Sequence, residues 1–149
     1  MTKQSCVAFI YCPGVAPGGE PSFLLVSSRK HPGKWMLSKG GIKPGEDAKA
    51  AAEREANEEG GYKIGSGACK GHLMTLMDPD GTQSYAVQCL EVSSREGALD
   101  DETERVWREK DTRQRKWVDG WAALEAAVGG GQRREKIWGE MVAAAKTKI

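Results

Sequence analysis

The chain contains no run of about eighteen consecutive apolar residues, so no membrane-spanning helix is expected and no membrane partner. Charge of one sign is not in excess: 22 Lys and Arg stand against 21 Asp and Glu, a net +1. Global electrostatics therefore predicts no nucleic-acid partner. The four cysteines, Cys6, Cys12, Cys69 and Cys89, show no C-x-x-C spacing. That pattern suggests no zinc site and fits free thiols in a reducing cytosol; an oxidising compartment would leave three ways to pair them. No secretory leader is visible before the first strand-like stretch, and a cytoplasmic location is expected. Histidine is scarce too. His72 precedes an apolar strand and reads as structural or exposed, while His31 beside Pro32 could pack or touch phosphate. No Ser-His-Asp or Cys-His nucleophile system can be assembled.

What is present describes a globular α/β chain. A hydrophobic fraction of 39% and a charged fraction of 29% are ordinary, and 149 residues suffice for one domain with a real core. Neither a repeat nor a linker divides residues 1–149. Cys6–Tyr11 and Ser22–Ser27 read as strands joined by the Gly- and Pro-rich stretch 13–20. Trp35-Met36-Leu37 is a short apolar strand ahead of a glycine turn. Residues 72–78 and 84–92 flank Pro79-Asp80-Gly81 as a hairpin. Arg115–Asp119 is a strand, 119–128 has helical spacing, and Gln132–Lys146 reads as a terminal helix with Ile137, Met141 and Val142 inward. The expected layout is a layered α/β domain. Trp35, Trp117, Trp121 and Trp138 occupy apolar-patterned positions and are expected in the core.

The informative stretch is Lys39–Tyr62, KGGIKPGEDAKAAAEREANEEGGY. Asp47 can cap a helix that ends before Gly60-Gly61. At 100° per residue, Ala48, Ala51, Ala52 and Ala56 share one side. Glu55 and Glu59 fall on that side, Glu58 lies at its edge, and Lys49, Glu53 and Asn57 point away. Three carboxylates gathered at the negative end of a helix, facing inward, repel one another and lose hydration. A hard divalent cation with oxygen ligands relieves both; a salt-bridged cluster around Arg54 is the structural alternative. Gly40, Gly41 and Gly45 permit close backbone approach or positive φ, so a carbonyl of the turn could complete a metal's coordination.

Gly40-x5-Glu46-x7-Arg54-Glu55-Ala56-x-Glu58-Glu59-x-Gly61-Tyr62 resembles the Nudix box, Gx5Ex7REUxEExGU. Every fixed position matches; Ala56 and Tyr62 stand at the two bulky apolar positions. The resemblance implies a Nudix-type α/β/α sandwich with a mixed central sheet, and Mg²⁺- or Mn²⁺-dependent cleavage of a pyrophosphate. Carried over by position, Glu55, Glu59 and Glu58 hold metal, with Glu58 also a base. Glu46 supports a second metal, Arg54 orients the glutamates, and backbone groups of Lys39 and Gly40 join the metal shell.

The flanks LLVSSRKHPGKWMLSKGG and RQRKWVDGWAALEAA resemble diphosphoinositol polyphosphate phosphohydrolases, which also cleave diadenosine polyphosphates. Ser38 departs from that subfamily's frequent proline, which should loosen the turn, and Lys43 replaces a frequent glutamate. A densely phosphorylated inositol needs many cationic donors. Lys30 and Arg115 lead the candidates for binding it, with Ser28, Arg29, Lys34, Lys39, Gly40, Gly41, Lys3 and Arg113. The expected partner is thus a small-molecule polyphosphate: an inositol pyrophosphate, a dinucleoside polyphosphate or polyphosphate. A dinucleoside polyphosphate or cap hydrolase, and a non-catalytic polyphosphate-binding module, are the competing readings.

Overall fold

The computed structural model describes residues 3–27, 33–58, 69–78, 81–93, 114–128 and 135–149. Seven strands among them form one mixed sheet: β1 (Lys3–Cys12), β2 (Ser22–Ser27), β3 (Trp35–Met36), β4 (Ser38–Gly41), β5 (Cys69–Met77), β6 (Gln83–Glu91) and β7 (Arg115–Asp119). Three helices are described: α1 (Ala48–Glu58), α2 (Trp121–Val128) and α3 (Glu135–Lys148).

The main path of the sheet runs β3-β2-β1-β6-β5, with β4 paired to β1 and β7 paired to β2. β1 and β6 run parallel, from Lys3↔Gln83 to Tyr11↔Glu91, and every other pairing is antiparallel. β1 is buried from Ser5 to Cys12 because it is covered on both faces, which is why it reads as a continuous apolar run. Alternate residues of a strand point to opposite faces. Cys6, Ala8, Ile10 and Cys12 pack with Ala51, Ala52 and Ala56 of α1, while Val7, Phe9 and Tyr11 pack with Leu124 of α2 and Met141, Val142 and Ala145 of α3. The result is the expected sandwich, helix–sheet–helix. No helix among the described residues is long and apolar enough to cross a membrane.

Several expectations hold in detail. The 13–20 connection contains a single 3-10 turn, Pro17–Gly19, and joins β1 to β2 as a hairpin with Tyr11 opposite Phe23. The β5–β6 hairpin closes through Gly81 N–H donating to the Asp78 carbonyl, 2.8 Å. Met141 and Val142 point inward; the Ile137 side chain lies outside the described set. All four cysteines are free thiols. The four tryptophans are half-buried and pack against the two clusters. Exposed His72 shares hydrogen bonds with Gln88 and Thr75, consistent with a structural place.

One expectation is corrected. Gly40-Gly41 is not a turn. Ser38–Gly41 is strand β4, lying antiparallel to β1 with Ala8↔Ser38 and Cys6↔Gly40. Glycine has low intrinsic strand preference, but here the ladder to β1 overrides it. The turn falls later, at Pro44-Gly45, where Gly45 adopts φ +80°. Ser38 accordingly does not loosen a turn. It is fully buried in β4, and its Oγ has no hydrogen-bond partner.

Candidate active site

The site grows from the start of α1. Asp47 Oδ1 accepts from Ala50 N–H at 2.8 Å, and its carbonyl accepts from Ala51 N–H at 3.0 Å, so Asp47 is the N-cap. Small alanines then let the helix lie close on β1 and β4. Ala51, Ala52 and Ala56 are fully buried, and Glu55 sits in the same stripe with 7% exposure. Glu58 is at the edge, 26% exposed on its side chain. The inward placement of Glu55 is as the helical spacing predicts. Glu53 and Asn57, which the spacing turns away from the alanine side, are half-buried, with Asn57 Nδ2 donating to the Glu53 carbonyl.

Gly40 makes the room for Glu55. A Cβ at Gly40 would stand 2.1 Å from Glu55 Oε1 and 2.3 Å from its carboxyl carbon. The chain therefore carries a cradle in β4 shaped around one carboxylate. Gly41 has no such neighbour; its contribution is its carbonyl, which accepts from Arg54 Nη2 at 2.9 Å.

Arg54 is the hub. Its Nε donates to Glu46 Oε2 and its Nη2 to Glu46 Oε1, both at 2.9 Å, a bidentate fork. Nη1 reaches Glu55 Oε1 at 2.7 Å and Glu58 Oε2 at 3.2 Å. Glu46 Oε1 also accepts from Lys43 N–H at 3.0 Å. These partners hold the Glu46 carboxyl down at about 2, chiefly through the Arg54 hydrogen bond and then the Lys43 amide. In turn Glu46 foremost, and Glu55 after it, push the Arg54 guanidinium above its usual range. Cys6, opposite Gly40 in the ladder, is fully buried; burial first, and the Glu55 charge next, push its thiol up to about 12. It is a protonated packing group at neutral pH, not a nucleophile.

The chemistry of the donors fits a hard cation. Glu55 and Glu58 carboxylates and the carbonyls of β4 are all oxygen ligands, the kind Mg²⁺ or Mn²⁺ takes, and the Gly40 cradle orients one of them. Among the described residues, no three His, Cys, Asp or Glu side chains converge as a closed metal cage. Glu59, expected to be the third helix carboxylate, lies outside the described residues, as do Ser28, Arg29, Lys30 and Arg113.

The remaining basic candidates do not gather at one spot. Arg115 pairs with Val26, on the face of Leu24 and α1, and Lys34 is half-buried just before β3. Lys39 pairs with Val7 and Lys3 with Gln83, positions that face α2 and α3. Lys39 Nζ lies 5.5 Å from the Tyr85 ring centroid and 5.6 Å from that of Trp138. Sequence reading missed two partners here: Trp138, taken only as core, and Lys116, whose Nζ stands 4.3 Å over Trp35. Nothing local in sequence signals either pair, since each joins segments far apart along the chain.

A carboxylate helix held by arginine against a glycine strand, within this sandwich, defines a class, and a family model described as NUDIX domain matches residues 9–136. The chain belongs to the Nudix family. Among curated proteins it is 40% identical over 60 residues to diphosphoinositol polyphosphate phosphohydrolase 3-alpha of Homo sapiens, covering 40% of this chain and 37% of that protein. It is 46% identical over 44 residues to diphosphoinositol polyphosphate phosphohydrolase 2 of Rattus norvegicus, covering 30% of this chain and 25% of that one. The matches thus span little more than a third of those relatives at most. Among solved structures, an Ap4A hydrolase of C. elegans superimposes with a TM-score of 0.67 at 19% identity, covering 99% of this chain and 98% of that one. The NUDIX domain of Shewanella oneidensis NrtR, complexed with ADP ribose, gives 0.68 at 15% identity over 99% of this chain and 88% of that one. At such identities these likenesses establish the fold.

Proposed function

We propose that the protein is a divalent-cation-dependent pyrophosphohydrolase that cleaves the diphosphate of inositol pyrophosphates, and also diadenosine polyphosphates and polyphosphate. The reading rests on the NUDIX match over residues 9–136 together with Glu55 held in the Gly40 cradle and Glu58 at the open edge. The Arg54 hub, which a purely structural salt-bridge cluster would also show, is read as the group that orients them. The partial matches to diphosphoinositol polyphosphate phosphohydrolases support the substrate class.

Glu55, Glu58 and Glu59, with backbone oxygen from Lys39 or Gly40, would hold Mg²⁺ or Mn²⁺. When bound, the cation neutralises phosphate oxygens and lowers the pKa of a coordinated water. Glu58, at the open edge of the cluster, would serve as the base that accepts a proton from the attacking water. Glu55 is fixed by the Gly40 cradle and Arg54, so its reorganisation cost is small. Glu46, whose oxygens accept from Arg54 and the Lys43 amide, would aim Arg54 as well as support a second metal. Lys30, Arg29, Lys34, Arg113 and Arg115, with Lys3 and Lys39 along β1 and β4, would neutralise the phosphates not being cleaved, and Ser28 and Gly41 would add hydrogen bonds.

The test is phosphate release from diphosphoinositol pentakisphosphate with Mg²⁺. Glu58→Gln should lower turnover by roughly 100- to 10,000-fold while thermal unfolding stays cooperative. Turnover near wild type in that variant would remove the assignment.

A further inference from the structure

β4 is a narrow divider. Among the described residues it pairs with β1 alone, so its other edge is not laddered. Gly40 faces α1 and cradles Glu55; the preceding residue, Lys39, therefore faces the opposite side of the sheet, beside Val7. There its ammonium lies within cation–π range of two rings, 5.5 Å from Tyr85 and 5.6 Å from Trp138. The rings themselves are 5.7 Å apart and inclined at 54°. Tyr85 is fully buried in β6, whereas Trp138 is half-buried on α3. A lysine stem has four rotatable carbons and a costly freedom to lose, and two aromatic faces restrict it before any ligand arrives.

Building on the pyrophosphohydrolase reading, we propose that Trp138, with Tyr85, is a positioning residue that holds the Lys39 ammonium on the α3 side of β4 to grip the non-reacting phosphates of a ligand lying across that strand's edge. The reacting diphosphate then meets Glu55 and Glu58 on one side of β4 while the remainder of the polyanion meets Lys39 on the other. The terminal helix, distant in sequence from the Nudix box, thereby sets how tightly the polyanion is held.

Binding is read by titration calorimetry at fixed ionic strength, with inositol hexakisphosphate as the probe because it has no diphosphate bond to cut. Lys39→Met should weaken binding roughly tenfold or more. Trp138→Met, which keeps apolar bulk without a ring face, should weaken it about three- to fivefold, and Trp138→Phe should restore most of that loss. In the Lys39→Met background, Trp138→Met should add nothing. Additive losses in the double variant, equal losses in the Phe and Met variants, or no binding by the wild type would each overturn the proposal. Should Trp138→Met fail to unfold cooperatively, fluorinated tryptophan placed at 138 replaces it, since fluorination drains the ring face with little change of shape. Affinity falling with each added fluorine supports the cation–π hold, and unchanged affinity overturns it. Turnover does not enter the readout, so loss of the hydrolase reading and loss of this one are separable.

Discussion

Gly40 has no room for a side chain, because a Cβ there would lie 2.1 Å from the Glu55 carboxylate. Gly40→Ala must push Glu55 out of its cradle, and a displacement of about 1 Å in a catalytic group costs on the order of 100-fold in rate. Steady-state kinetics should show that fall in kcat/KM, with the change concentrated in kcat. Glu46 is a second residue-scale case. Its folded pKa, about 2, lies below the ordinary 4.5, so its stabilising contribution is present in full above pH 4.5 and is lost as pH falls toward 2. Glu46→Gln should therefore lower the thermal midpoint at pH 7, and the gap to wild type should close between pH 4.5 and 2. A gap that stays constant across that range contradicts the Arg54–Glu46 pairing. These individual roles were partly legible in sequence. Helical spacing alone put Glu55 beside the buried alanines, and Arg54 was expected among the glutamates. The bidentate Arg54–Glu46 fork was not legible, because the motif says which residues recur and not which hydrogen bonds each makes.

At the scale of elements, α1 is aimed by its cap and its alanine stripe. Asp47 satisfies the Ala50 amide, so Asp47→Ala should cost about 1 kcal/mol in urea denaturation. A loss under a few tenths would mean the cap is not what fixes the helix start. α2 is started by another device, in which Glu20 Oε1, from the β1–β2 connection, accepts from Trp121 N–H at 3.0 Å. That partnership spans 101 residues, and no local pattern announces it. β4 was misjudged for a related reason. Two adjacent glycines suggest a turn by local preference, whereas the strand is imposed by β1, some thirty residues earlier, with which it pairs from Ser5↔Gly41 to Ala8↔Ser38. Local signals located caps, hairpins and the helical face; non-local pairing decided the rest.

At the scale of the whole molecule, the sandwich divides the chemistry by face. Carboxylates and Arg54 lie with α1, while Lys39 and its two rings lie with α3. The seven-stranded sheet order and the parallel β1–β6 pair follow from no local pattern, although the layered class did follow from mixed strands with helices inserted at the middle and the end. Near-neutral net charge conceals this arrangement, since +1 overall is compatible with an acidic cluster on one face and cationic groups on the other. The central claim, cleavage of a diphosphate carried on a larger phosphorylated group, is tested most directly by phosphorus NMR of the purified protein with Mg²⁺. The mixture holds diphosphoinositol pentakisphosphate, diadenosine hexaphosphate, capped RNA and polyphosphate. The account predicts that the diphosphate resonances of the inositol pyrophosphate disappear first, with inorganic phosphate growing in their place. Intact resonances for all four substrates, or loss of the capped RNA signal alone, would contradict it.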